Sequence, residues 1–242
     1  MKRLFAGAVL LLLLLLLLLL LLILAGGWKL GNARTFQVTG DLVHRIETTD
    51  KVVALTLDDG PTPAFTREVL QVLRDKGVRA TFYLTGREAA TSPDSVKAIY
   101  TDGHEIGNHS YHHKRLVFMP AADIRAEVER GELALRTAGY TGPLTFRPPH
   151  GKKLFYLPWY LESRAITTVM WDVEPEQSDD IGRDPAKIVR FVGEQARPGS
   201  IILMHVMYQA RGPSRAALPG VIDELKRQGY RFVTVSELLK RR

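Results

Sequence analysis

Val53-Ala54-Leu55-Thr56-Leu57-Asp58-Asp59-Gly60-Pro61-Thr62-Pro63 is the stretch from which the architecture can be read. An apolar, β-forming run meets two adjacent carboxylates and then Gly and Pro, the pattern of a buried strand that ends in a loop. The carboxylates therefore stand at the strand's C-terminal mouth, where α/β folds and barrels build their sites. Two neighbouring acids repel, so holding both there is costly unless a cation or a proton settles one of them. The division this suggests is one carboxylate on a metal and one free as a base. Taken alone, Asp-Asp-Gly-Pro reads equally well as a solvated turn. Its partners decide.

The first partner is Asn108-His109-Ser110-Tyr111-His112-His113, which follows the strand-like Glu105 to Gly107. His109 and His113 are four apart, so on one helical turn both imidazoles face the same way and can share a cation. With Asp59 they make three N/O ligands and leave positions open, the stoichiometry of a catalytic metal site. His112 is one residue out of phase and is set aside. The second partner is Arg147-Pro148-Pro149-His150-Gly151, where two prolines stiffen the backbone and present the next amides, of His150 and Gly151, in a set direction. Such amides suit an oxyanion, and Arg147 can pair with the free carboxylate. The third is Ser200 to His205, a buried strand ending in a histidine placed to donate a proton. Each motif also has a bland reading as a solvated loop, a rigid turn or a core histidine.

Outward from these motifs, strand and helix patterns alternate. Strands are expected at Val52 to Leu57, Ala80 to Leu84, Glu105 to Gly107, Leu144 to Phe146, Thr167 to Trp171, Ser200 to His205 and Arg231 to Val235. Helices are expected at Phe65 to Lys76, Pro93 to Tyr100, Ala121 to Ala138, Pro158 to Ser163, Pro185 to Gln195 and Leu218 to Gln228. Repeated βα units with short turns argue for a parallel, barrel-like sheet. The 242 residues are 45% hydrophobic, enough for one sizeable core, and contain no cysteine, which excludes disulfides, thiolate metal sites and a Cys nucleophile. A net charge of +7 suits anionic lipid or wall polymers, but no basic cluster interleaved with aromatics points to nucleic acid.

From Leu4 to Ala25 there is no charge, and the run is long enough to cross a bilayer as a helix. We read residues 1–27 as an uncleaved signal anchor, with Lys2 and Arg3 keeping the N-terminus cytoplasmic and the rest of the chain outside. A long cleavable signal ending at Ala25-Gly26-Gly27 is the alternative. Residues 28–50 read as a membrane-proximal segment with a hairpin or edge strands, and 51–242 as the main domain.

Taken in order, Thr56-Leu57-Asp58-Asp59-Gly60, His109-Ser110-x-x-His113, Arg147-Pro148-Pro149-x-Gly151, Trp171-Asp172-Val173-Glu174 and Leu203-Met204-His205 resemble the five motifs of the polysaccharide deacetylases, the NodB-homology domains of carbohydrate esterase family 4. The resemblance covers about Lys51 to Leu239. It implies a distorted, incomplete (β/α) barrel, preceded here by one transmembrane helix. It implies that Asp58 is the general base, that Asp59, His109 and His113 bind a divalent metal, usually zinc, that Arg147 orients Asp58, that the His150 amide lines the oxyanion hole, and that His205 is the general acid. The implied activity is removal of N-acetyl groups from an extracytoplasmic N-acetylglucosamine-containing glycan. An O-acetyl esterase on xylan-like glycans and a weakly active, membrane-tethered glycan-binding module are the alternatives.

Three features depart from the family pattern. His150 replaces a Tyr, and Leu57 stands where Phe is common. Gln177-Ser178 replaces an Asp-Trp whose Asp tunes the acid histidine, leaving Glu174 or Glu176 as the candidate substitute.

Overall fold

The structure, a computed structural model, describes residues 2–242. In chain order the first half comprises α1 (Lys2–Asn32), β1 (Leu42–Val43), β2 (Val52–Asp58), α2 (Pro63–Lys76), β3 (Thr81–Leu84), α3 (Gly86–Thr91), α4 (Pro93–Thr101), β4 (Glu105–Asn108) and α5 (Ala121–Thr137). The second half comprises α6 (Tyr156–Ser163), β5 (Thr168–Val169), α7 (Asp179–Gly182), α8 (Pro185–Gln195), β6 (Ile201–His205), α9 (Gly212–Arg227), β7 (Arg231–Phe232) and α10 (Val235–Leu239).

All named strand pairs are parallel, as the βα alternation requires. The main sheet runs β4-β3-β2-β6, with β7 also on β2 and a separate β1–β5 pair. Single parallel bridges link Asn108 to Phe146, Phe146 to Thr168, and Val173 to Ile202. β2 is central and buried along its length, which is why it reads as a near-continuous apolar run.

The period of two along β2 separates two faces. Val53, Leu55 and Leu57 pack with Val69, Leu70 and Leu73 of α2 and with Leu218, Val221 and Ile222 of α9. Val52 and Ala54 face the other way, into a cluster with Met170, Trp171 and Leu203. Thr56 and Asp58 share that second parity, so the carboxylate is carried on the face away from those helices.

Several boundaries differ from the sequence expectation. The expected strand at Leu144 to Phe146 is reduced to bridges at Phe146, and that at Thr167 to Trp171 to two residues. Val235, expected in the last strand, opens α10 under a Thr234/Glu237 capping box. α9 starts six residues before Leu218 and runs through Pro219. Packing of its buried face against β2 and α2 outweighs the hydrogen bond a mid-helix proline removes. The stretch 28–50 contains no hairpin. α1 continues to Asn32, and β1 pairs in parallel with β5, burying Val43 and Ile46 beside Met170 and Trp171. Among the described residues, one helical span, Val9–Asn32, is long and apolar enough to cross a membrane, and its residues Leu10 to Leu24 are exposed.

Candidate active site

Asp58 and His205 are direct register partners on neighbouring parallel strands, so both side chains leave the sheet on the same face at its C-terminal edge. Asp59 would point to the opposite face if the strand continued. It does not continue, because Asp59 has φ 75°, a left-handed conformation uncommon outside glycine and tolerated best by Asn and Asp. The alternation breaks there, and both carboxylates approach His109, whose Nε2 lies 3.6 Å from Asp58 Oδ2 and 4.0 Å from Asp59 Oδ1.

Arg147 is fully buried, and each of its three guanidinium nitrogens donates a hydrogen bond. Nη1 donates to Asp58 Oδ1 at 2.6 Å and to Thr56 Oγ1 at 2.7 Å, Nε to the Val169 carbonyl and Nη2 to the Met170 carbonyl. The Tyr83 ring lies against its face at 4.1 Å. A buried ion pair is tolerable only when the remaining donors are satisfied in this way. Thr56 was not singled out from the sequence as a site residue. Its signal was available, since a threonine two residues before the acid shares its face.

His109 Nδ1 lies 2.7 Å from the Arg147 carbonyl. A carbonyl only accepts, so Nδ1 carries the proton and Nε2 keeps its lone pair. Burial pushes the His109 pKa down to about 3 despite the pull of Asp58, and lowers that of His113 as well; neutral imidazoles are the ligand form. His113 Nε2 lies 3.3 Å from Asp59 Oδ1, and the His109 and His113 rings are 4.9 Å apart.

One donor atom from each of Asp59, His109 and His113 falls within 4.8 Å of the other two. Asp59 Oδ1 is buried with no hydrogen-bond partner, and burial raises the Asp59 pKa to about 6, with His205 opposing and Asp58 adding. A desolvated, unpaired carboxylate oxygen beside the His109 Nε2 lone pair and the His113 ring is what a divalent cation would complete, and three N/O donors suit zinc. The residues fit a metal.

The two histidines do not share a helical turn, as their spacing suggested. Residues 109–113 form a loop with Ser110 at φ 65° and His113 at φ 60°. That loop lies directly on α5. A side chain at Gly131 would come within 3.0 Å of the Ser110 backbone and 2.4 Å of Asn108 Oδ1. His112 faces away, bonded through its amide and Nδ1 to Glu127.

His150 is exposed, with φ 56° and its ring 4.5 Å from that of His113. Its N–H meets no backbone acceptor among the described residues, whereas the amides of Gly151 and Lys152 close the turn onto Pro148 and Pro149. Glu176 is the carboxylate that meets His205. It engages His205 Nδ1, accepts the His205 amide at 2.9 Å, and is held in turn by Ser214 Oγ at 2.5 Å. Gln177 and Glu174 instead turn to Arg34, and Glu174 also accepts from Trp171 Nε1. Burial alone would lower the His205 pKa; the hydrogen bond and charge of Glu176, aided by Asp58 and Asp59, raise it to about 9.

Residues 45–168 match the family model described as polysaccharide deacetylase. A peptidoglycan-N-acetylglucosamine deacetylase of Bacillus cereus is 33% identical over 207 residues, covering 86% of this chain and 97% of that protein. A peptidoglycan-N-acetylmuramic acid deacetylase of Bacillus subtilis is 33% identical over 80% of this chain and 40% of its own length. Among solved structures, a peptidoglycan N-acetylglucosamine deacetylase bound to a substituted N-hydroxybenzamide superposes with TM-score 0.77 at 32% identity, covering 81% of this chain and 92% of that one.

Proposed function

The chain belongs to the polysaccharide deacetylase family, and from that membership we propose that it removes N-acetyl groups from an extracytoplasmic, N-acetylglucosamine-containing glycan, with peptidoglycan as the substrate and acetate as the product. The substrate named for the relatives supports this reading, and so does the unpaired Asp59 beside two neutral imidazoles and an Arg147-held Asp58. That last arrangement is the observation that carries it. The proposed domain is residues 51–242, with β1 of the preceding 28–50 segment paired to its β5, and the single bridges Asn108–Phe146, Phe146–Thr168 and Val173–Ile202 support the incomplete-barrel reading.

Asp59, His109 and His113 would hold the metal, which when bound supplies Lewis-acid polarisation of the acetyl carbonyl and acidifies water. Asp58, fixed by the Arg147 guanidinium, accepts the proton of the attacking water. The carbonyl oxygen gains negative charge as the water adds, and the His150 N–H donates to it; losing one such donor typically costs about 3 kcal/mol of barrier. His205, kept protonated by Glu176, delivers its proton to the departing amine. The free sugar amine and acetate are left.

The test is acetate release by the full chain from peptidoglycan and N-acetylglucosamine oligomers, before and after chelation and metal add-back. Wild type should lose activity on chelation and regain it. Asp58→Asn should lose roughly 10²- to 10⁴-fold in kcat. Turnover that survives both treatments would overturn the assignment.

A further inference from the structure

The apolar helix does not leave the domain on a loose tether. The Lys153 amide donates to the Gly31 carbonyl at 3.3 Å, and its ammonium reaches the Ala33 carbonyl. Lys152 bonds the Asn32 side chain and stands 5.3 Å from the Trp28 ring centre. Cations at the carbonyl end of a helix complement its dipole. Lys153 is almost wholly buried there without a carboxylate partner among the described residues. The domain and the last turn of α1 are thus joined as one piece.

That junction sets a depth. Leu4 to Ala25 is 22 residues, about 33 Å of helix against a hydrocarbon core of about 30 Å. Gly26 to Asn32 therefore lie at headgroup level, where Trp28 has the side chain typical of that layer. A cleft of about 320 Å³ lies between this turn and the loops around 115–118 and 152–154. Its lining includes Trp28, Phe118, Arg115 and Lys152, and no carboxylate. Phe118 is 81% exposed and Phe155, one residue beyond the lining, 58%. Large exposed aromatics beside unopposed cations, at the level where a spanning helix ends, are complementary to an anionic lipid surface.

We infer that this face of the domain is seated in the headgroup layer of an anionic bilayer, with Phe118 inserted and Arg115 on lipid phosphate. The inference rests on reading α1 as a retained membrane anchor. Its functional consequence follows from proximity: Lys152 is two residues from His150, whose ring centre is 4.5 Å from that of His113, so a seated domain would hold the site close to the membrane. Glycan lying close to the bilayer is then the accessible substrate.

The chain has no cysteine, so single-cysteine labelling of the full protein is clean. Phe118→Cys and, as control, Leu133→Cys, which is 64% exposed on α5, are labelled with an environment-sensitive fluorophore. They are then placed in nanodiscs of phosphatidylcholine with or without phosphatidylglycerol. The expected result is blue-shifted emission and quenching by brominated lipid at position 118 in phosphatidylglycerol discs, with neither at 133. Arg115→Glu should lower quenching at position 118 in phosphatidylglycerol discs roughly fivefold or more, α1 and the domain tilting together away from that surface. A solvent-like, unquenched label at 118 while the chain stays embedded through an alkaline wash overturns the seating. Equal quenching in both lipids, unaffected by Arg115→Glu, overturns the headgroup contact. Release of the chain by the wash overturns the anchor itself.

Discussion

On the Arg147 side of the site the protein satisfies its own buried groups, whereas on the Asp59 side it leaves them open. Arg147 donates to Thr56, Asp58, Val169 and Met170, and Glu176 is clasped by His205 and Ser214. Across the same mouth, Asp59 Oδ1 is buried with nothing to accept from. The first half is a preorganised framework, whose geometry needs no ligand. The second carries an unfavourable desolvation that a bound cation would relieve. Chemistry that moves protons wants fixed partners, while binding a metal wants uncommitted lone pairs.

The sharpest way to break this contrast is to remove the cation of the satisfied half. Arg147→Ala strands the Asp58 carboxylate in the interior and should cost about 3–5 kcal/mol in denaturant unfolding. A loss below 1 kcal/mol would mean that the pair is solvated in solution and the contrast is false.

A milder change tests the Glu176–His205 link. Raising a histidine pKa on folding contributes stability that is present below the unfolded value near 6.5 and lost as pH rises through the folded value, here about 9. Glu176→Gln should therefore move the alkaline limb of the kcat profile down from about pH 9 towards 6.5, cutting kcat near pH 8 by up to about thirtyfold. An unmoved alkaline limb would remove Glu176 from the reaction.

The smallest effect belongs to the open half. In metal-free protein Asp59→Asn should leave stability unchanged or raise it by about 1 kcal/mol, because an unpaired buried charge is deleted. Added zinc should raise the Tm of wild type and not of this variant. If metal-free Asp59→Asn is instead destabilised by several kcal/mol, Asp59 has a protein partner after all.

Much of this was legible beforehand because it depended on local pattern. The period-two alternation of β2 gives Asp58 its face, and the Gly60-Pro61 turn marks the strand end. The His109–His113 pairing was found from spacing, although for the wrong local reason: the rings converge through left-handed residues in a loop. Sequence patterns do not carry φ for non-glycine residues, and Asp59, Ser110, His113 and His150 all have positive φ. The choice between Glu174 and Glu176 was equally hidden, since two residues of phase in an irregular segment are settled by Arg34, 140 positions away from Glu174, which takes one of them.

What the chain determines by itself is a parallel βα architecture, a paired-acid strand end, one Asp and two His of the kinds that could hold a metal, and an apolar helix of membrane-crossing length. Those follow from side-chain periodicity and composition, which act over a few residues. Which carboxylate holds His205, which atom of Asp59 stays unpaired, and how α1 joins the domain are decided only on folding. They depend on backbone dihedrals and on contacts between segments distant in sequence, where burial makes a single unmatched polar atom costly enough to select one arrangement over another.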